Sequence, residues 1–209
     1  MVLIDRIVAV IVGAVIILMG FTVQQRAQQT SVGSTMLYAG KKQMLELADM
    51  LEGDMGNIGF NITPDQTAIT EHTVEEDGLL DSFVFWGIGR DSVGAVASQV
   101  EVLYDLVPAD TAQLGQEVVP LYEIQRFERT GGGSWIPRGG SPPTISRFYV
   151  DLLGENNSTV AKEEARRIRV WLENVVLPES NMGEMMNNFR RLRWSITISP
   201  TNLRDYQGG

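Results

Sequence analysis

Residues 1–23 read MVLIDRIVAVIVGAVIILMGFTV, and the organisation of the whole chain turns on this stretch. From Ile7 to Val23 no charged residue interrupts the apolar run. That is about 17 residues, the short end of what a helix needs to cross the hydrocarbon core of a bilayer. Val2, Leu3 and Ile4 carry the apolar character past Asp5 and Arg6 to the first residue. No basic region precedes the run and no small-residue cleavage site follows it, so the segment is expected to be retained rather than removed as a signal peptide.

The helix is expected to continue beyond the apolar run. After Gln24, Gln25 and Arg26 no proline occurs until Pro64. Leu37, Gly40, Met44, Leu47, Leu51, Met55 and Ile58 recur at spacings of three and four, which puts them on one stripe of a helix. Gly59 reads as its C-cap. A helix from the first residue to Ile58 is about 87 Å long at 1.5 Å per residue. Its first half is apolar nearly all round and its second half is amphipathic, so each half needs a different partner. Residues 1–28 are read as the membrane-spanning or filament-core half. Residues 29–209 are read as a globular head, helical to about residue 59 and β-rich thereafter.

Six strands are expected: Ser82 to Ile88, Val100 to Val107, Leu121 to Phe127, Arg147 to Leu153, Arg167 to Leu172 and Leu192 to Ser199. Ile168, Val170 and Leu172 alternate with Arg167, Arg169 and Trp171, the pattern of a half-buried strand. Thr130 to Thr144 (TGGGSWIPRGGSPPT) reads as a Gly/Pro loop, Ala161 to Arg167 as the start of a short helical turn, and Pro178 to Asn188 as a polar loop or short helix. The fold class is α+β, a long N-terminal helix packed at its second half on an antiparallel sheet.

Charge is unevenly distributed. The net charge of −9 divides into −1 over residues 1–60, −11 over 61–125 and +3 over 126–209. An acidic chain of this kind is not expected to take nucleic acid as its main partner. The contrast between the last two segments either pairs within one domain or joins neighbouring subunits. The chain has no Cys, which excludes disulfides, thiol nucleophiles and thiolate metal sites, and its single His, His72, excludes multi-His sites.

The N-terminal pattern, Met1-Val-Leu-Ile-Asp5 followed by a long apolar run, resembles the mature N-terminus of type IV pilins and type II secretion pseudopilins. Softer likenesses are to the larger minor pilins and J-type pseudopilins. They lie in residues 51–60 (LEGDMGNIGF), like the end of the first helix in those proteins, and residues 193–203 (RWSITISPTNL), like their last head strand. The resemblance implies a ladle-shaped subunit of an extracellular filament, drawn from a pool in the cytoplasmic membrane. Its expected partners are membrane lipid before assembly, the pilus assembly machinery, and copies of itself in a helical array. It further implies a basic leader removed before Met1 and methylation of the new N-terminus, with Met1 as an initiator residue the alternative. Motility, adhesion, DNA uptake and secretion are all roles of the family. This chain departs from the pattern in carrying Asp5 where the family usually has glutamate. It also lacks the helix-breaking proline after the membrane region and a Cys pair closing a C-terminal loop.

An ionised carboxylate in hydrocarbon costs several kcal/mol without a partner. In a filament the partner for Asp5 is the N-terminal ammonium of an adjacent subunit. Arg6 offers a second pairing, with Asp5 or with lipid headgroups, and the bland alternative is that Asp5 and Arg6 mark the membrane boundary of an ordinary anchor. Gly13 and Gly20 either let the helix unwind on assembly or allow close helix packing. The assembly residues are thus expected to be Met1, Asp5, Arg6, Gly13 and Gly20. Helix–head packing is expected from Leu37, Met44, Leu47, Leu51, Met55 and Ile58.

Other motifs carry less. Residues 75–81 (EEDGLLD) cluster carboxylates but lack the alternating ligand spacing of a calcium loop, and read as a solvated acidic turn. Asn61-Ile-Thr63, Asn156-Asn-Ser158 and Asn157-Ser-Thr159 match the glycosylation pattern, a short match that arises often by chance. Trp86, Trp171 and Trp194 fall in strand patterns and are expected in core or interface, leaving Trp135 in the Gly/Pro loop as the exposed-contact candidate. No nucleophile elbow, phosphate loop or dinucleotide fingerprint is present, so no enzyme activity, cofactor or metal is expected. The rivals to a filament subunit are a minor or tip pilin with adhesive or secretory duty, and a monomeric membrane-tethered binding domain.

Overall fold

The computed structural model describes residues 2–63, 65–89, 98–114, 117–176 and 190–205. It contains a 55-residue helix, α1 (Val2–Gly56), followed by strands and two short helical pieces. The chain divides into two compact units, residues 1–39 and 40–209.

The first unit is helix throughout its described residues. Nothing in residues 2–39 breaks it: no proline occurs, and Gly13, Gly20 and Gly33 are single, each costing about 1 kcal/mol relative to alanine. Thr22, Thr30, Ser34 and Thr35 donate their hydroxyls to the carbonyls of Leu18, Arg26, Thr30 and Ser31, four residues back, at 2.9 to 3.0 Å. These polar groups are thereby satisfied inside the helix itself.

The second unit holds the rest of α1 and an antiparallel sheet of eight described strands. They are β1 (Ile69–Val74), β2 (Leu80–Ile88), β3 (Gln99–Leu114), β4 (Glu117–Arg129), β5 (Ile136–Gly140), β6 (Ile145–Leu153), β7 (Arg167–Val176) and β8 (Arg190–Ile198). The order is β1-β2-β3-β4-β6-β7-β8, with β5 paired to β4. All six expected strands are present. Two were not expected, and both have weak strand signals. β1 (ITEHTV) is short, polar and on the sheet edge, and β5 (IPRGG) lies inside the stretch read as a Gly/Pro loop. A three-residue 3-10 turn, Lys162–Glu164, stands where a helical turn was expected, while residues 178–188 lie outside those described.

The core follows from alternation. Phe148, Val150 and Leu152 of β6, and Ile168, Val170 and Leu172 of β7, turn inward with Phe83 and Phe85 of β2 and Tyr104 of β3. Against them lie Met44, Leu47, Leu51, Met55 and Ile58, all buried. Three of these, Leu51, Met55 and Ile58, are 0% exposed, so this short run of chain seals the centre of the core. Burying each such side chain contributes about 1.5–3 kcal/mol.

Helix α1 stops at Gly56, two residues earlier than the stripe suggests. A turn follows, with Asn57 N–H on the Asp54 carbonyl and Ile58 N–H on that of Met55. Gly59 does adopt a left-handed φ of +80°, but its N–H donates to the Trp86 carbonyl at 2.8 Å. It therefore pins the chain to β2 rather than closing the helix.

Candidate assembly site

The apolar half of α1 is the feature with the clearest chemical demand. Thirteen large apolar side chains from Ile4 to Val23 are between 45% and 71% exposed. They point in every direction around the helix, as the sequence requires when no polar face interrupts it. Among the described residues α1 is the one helix long and apolar enough to cross a membrane. Arg6 is exposed at its start. Asp5 lies in the helix backbone, but its side chain is outside the described set, as is all of Met1. At Gly13 and Gly20 an added Cβ meets nothing within 4 Å, so neither glycine is required by packing within the chain.

The expected packing residues divide between the units. Met44, Leu47, Leu51, Met55 and Ile58 come together in the head core, whereas Leu37 belongs to the first unit and is half-buried. Gly40 is buried in the head, and a Cβ there would sit 2.7 Å from Val176 Cγ2. A side chain larger than hydrogen at that point would have to displace the Val176 side chain.

The head also holds a buried ionic cluster that the strand pattern concealed. Arg126 of β4 is 0% exposed and stands at a core position of the alternation, between Ile124 and Glu128. Its Nε donates to Asp54 Oδ2 at 2.5 Å, and its Nη1 lies 2.7 Å from Glu128 Oε1. The Tyr104 hydroxyl donates to the same Asp54 oxygen at 2.6 Å. Burial works against the charged guanidinium. The hydrogen bond and charge of Asp54, with support from Glu128, outweigh it and hold the Arg126 pKa above its ordinary value. The cluster ties the last turn of α1 to the middle of the sheet. Its signal in the sequence was an acid, Asp54, on the apolar stripe three residues after Leu51.

Trp135 is half-buried, with the Arg129 guanidinium 4.3 Å above its ring, a cation–π contact. Arg129 in turn binds Glu101 through two nitrogens, at 2.5 and 3.1 Å. Trp86, Trp171 and Trp194 are likewise half-buried. Glu173, 1% exposed, accepts from Arg193 Nε at 2.7 Å and from the Ser146 hydroxyl at 2.9 Å. Burial raises its pKa, but these bonds and the charges of Arg193 and Arg191 leave it below the usual value. Asp105 moves the other way, raised by burial and then by the charge of Asp81.

No group of three or more carboxylate or imidazole side chains is arranged to hold a metal among the described residues. His72 is engaged structurally, its Nε2 donating to the Val150 carbonyl at 2.8 Å. Asn61 and Asn157 are exposed with φ of 53° and 59°, and Asn157 accepts from Arg167 at 2.7 Å. Comparison with protein-family models, with curated proteins and with solved structures finds no match to this chain.

Proposed function

We propose that this chain is a structural subunit of a type IV pilus-like extracellular filament, held in the cytoplasmic membrane before assembly and packed through its N-terminal helix afterwards. One observation carries the reading: apolar side chains from Ile4 to Val23 are exposed on all sides of α1, while the head has a complete core of its own. Withdrawing thirteen such side chains from water is worth on the order of tens of kcal/mol. Lipid satisfies that demand before assembly, and copies of the same helix satisfy it within a filament. Any Asp5 contact with a neighbouring N-terminus then sets register more than affinity, because buried ion pairs gain little net free energy. On this reading the chain is not an enzyme and needs no cofactor.

The test is electron microscopy of filaments sheared from cells producing the chain, with the subunit identified by intact mass. Filaments built mainly of this chain support the reading. Filaments that carry it only at a tip assign it to the minor pilins. Quantitative retention in the membrane as a monomer, with no filament, overturns the proposal in favour of a tethered domain.

A further inference from the structure

Three asparagines, Asn61, Asn156 and Asn157, stand in the pattern Asn-x-Ser/Thr, and the fold treats them differently. Asn61 is exposed, but the next residue, Ile62, packs against the head core. The Thr63 hydroxyl is engaged by the Asp65 carboxylate, whose pKa that bond lowers. An enzyme acting on Asn61 would have to pull Ile62 out of the core and break the Thr63 bond. Asn156 and Asn157 sit instead in the loop between β6 and the 3-10 turn. Every residue from Glu155 to Thr159 is exposed and none belongs to the core. The loop is closed at its base, with Gly154 N–H on the Ser158 carbonyl at 2.9 Å, Val160 N–H on that of Leu152 at 3.0 Å, and Leu153 bridged to Thr159. A tip of this kind accepts an added group without disturbing the packing beneath it.

Within the tip the two asparagines are not equivalent. Arg167 Nη1 donates to the Asn157 side chain at 2.7 Å. A guanidinium has no acceptor, so the atom it meets is the amide oxygen, and the amide nitrogen is the atom left without that contact. Asn157 also carries the left-handed bend of the loop, with φ of 59°, a conformation that asparagine tolerates better than most residues. The hydroxyl two residues further on belongs to Thr159, which is exposed and makes no side-chain hydrogen bond among the described residues. Asn156 has no partner among the described residues that would orient its amide.

We propose that Asn157 is an N-glycosylation site, with Thr159 supplying the hydroxyl by which a transferase reads the acceptor. The co-substrate is a saccharide carried on a lipid diphosphate at the outer side of the membrane. Asn157 Nδ2 attacks C1 of the sugar and the N–C1 bond forms. The C1–O bond to the diphosphate breaks, the lipid diphosphate leaves with the electron pair, and one amide proton passes to a base of the transferase. The proposal rests on the head standing outside the membrane, as the filament reading requires. It adds an orientation to that reading. A bulky, solvated saccharide does not fit in a contact between subunits, so the loop of residues 154–160 faces outward on the filament.

The test is peptide mapping by mass of the full-length chain taken from the cells that naturally produce it. Cleavage after Arg147 and Lys162 releases residues 148–162, which contain both Asn156 and Asn157. This peptide is expected to carry a saccharide, placed on Asn157 by fragmentation that preserves the link. Asn157→Gln and Thr159→Ala should each abolish the added mass. Thr159→Ser should keep it, and Asn61→Gln and Asn156→Gln should leave it unchanged. A saccharide that survives Thr159→Ala belongs to Asn156, whose own Ser158 is untouched, and overturns the assignment. Filaments of unmodified chain overturn the proposal and leave the filament reading standing. Modified chain that stays a membrane monomer supports the proposal and removes the filament reading, and unmodified monomer overturns both. Because the chain has no cysteine, orientation has its own measurement. The single thiol of Asn157→Cys should react with a bulky maleimide in intact filaments, and a thiol protected until the filaments are dissolved overturns the outward placement.

Discussion

Arg126 and Asp54 lie 72 residues apart in the chain and meet at 2.5 Å with both side chains buried, joining β4 to the last turn of α1. Removing Arg126 takes the guanidinium away from two buried carboxylates, Asp54 and Glu128, and removing Asp54 takes from Arg126 one of those two partners. Asp54→Ala and Arg126→Met are each expected to destabilise the head by about 3–5 kcal/mol. The measurement is urea unfolding of a head beginning at residue 29. A double-mutant cycle should show coupling well above about 0.5 kcal/mol, because the two groups are in direct contact. Additive losses would mean the pair contributes nothing as a pair.

That truncated head is itself a prediction. Deleting residues 1–28 removes the exposed apolar run but leaves Met44, Leu47, Leu51, Met55 and Ile58 over the core. It should be soluble, monomeric and β-rich by circular dichroism and sedimentation. Deleting as far as Ile58 uncovers Phe83, Phe85 and Phe148 and should yield aggregate. A soluble, folded product from the longer deletion would contradict the role assigned to the helix.

Gly40 of α1 lies against the side chain of Val176 at the end of β7. A Cβ at Gly40 falls 2.7 Å from a methyl of Val176, a β-branched side chain with little freedom to turn aside. Gly40→Ala should lower stability by about 1–3 kcal/mol despite alanine's better helix propensity. Val176→Ala should recover much of that loss when combined with it. Gly13→Ala, where nothing lies within 4 Å, serves as the control and should leave membrane-inserted protein unchanged.

Glu173 and Asp105 make opposite contributions as pH changes. The folded pKa of Glu173 is depressed, so its contribution is present above the ordinary carboxylate value and lost as pH falls through the folded value. The folded pKa of Asp105 is raised by burial and by Asp81. Its folded form therefore holds a proton more tightly than the unfolded chain, and stability is lost as pH rises through that window. Asp105→Asn should raise the Tm of the head at pH 7 and lose its advantage in acid. Glu173→Gln should lower Tm at pH 7, with the gap narrowing below the ordinary carboxylate range. Parallel shifts at every pH would remove the electrostatic account of both.

Periodicity made the long helix, its inward stripe from Met44 to Ile58 and six of the strands legible, because burial on one face leaves a period in the sequence. β1 was hidden because an edge strand carries polar residues: Thr70, Glu71, His72 and Thr73 break any apolar alternation. β5 was hidden for a backbone reason. At Gly140 a Cβ would fall 2.3 Å from the Ile124 carbonyl oxygen, so the strand requires the glycine that made it look like loop. The Arg126 cluster escaped because Asp54 and Tyr104 come from other elements, so the spacing of Arg126 and Glu128 within β4 does not show what they meet. For the assembly residues the sequence speaks of demand rather than geometry: an apolar rod needs cover, and a carboxylate near its start needs a counter-charge.

Asp5 is where that second demand is tested. The proposed role is pairing with the N-terminal amine of an adjacent subunit during docking. Asp5→Asn retains the size and removes the charge. Membrane insertion should persist or improve, because an amide costs less in hydrocarbon than a carboxylate. Filament yield should fall sharply, since the incoming amine loses its counter-charge in a medium where an unpaired charge is costly. Asp5→Glu keeps the charge and adds one methylene of reach, so it should assemble at least in part. The measurement compares subunit in sheared filaments with subunit in the membrane pool for each variant. Equal filament yield from Asp5→Asn and the unaltered chain would take Asp5 out of the mechanism. Failure of Asp5→Asn to enter the membrane would instead assign Asp5 and Arg6 to topology alone, the role they have in an ordinary anchor.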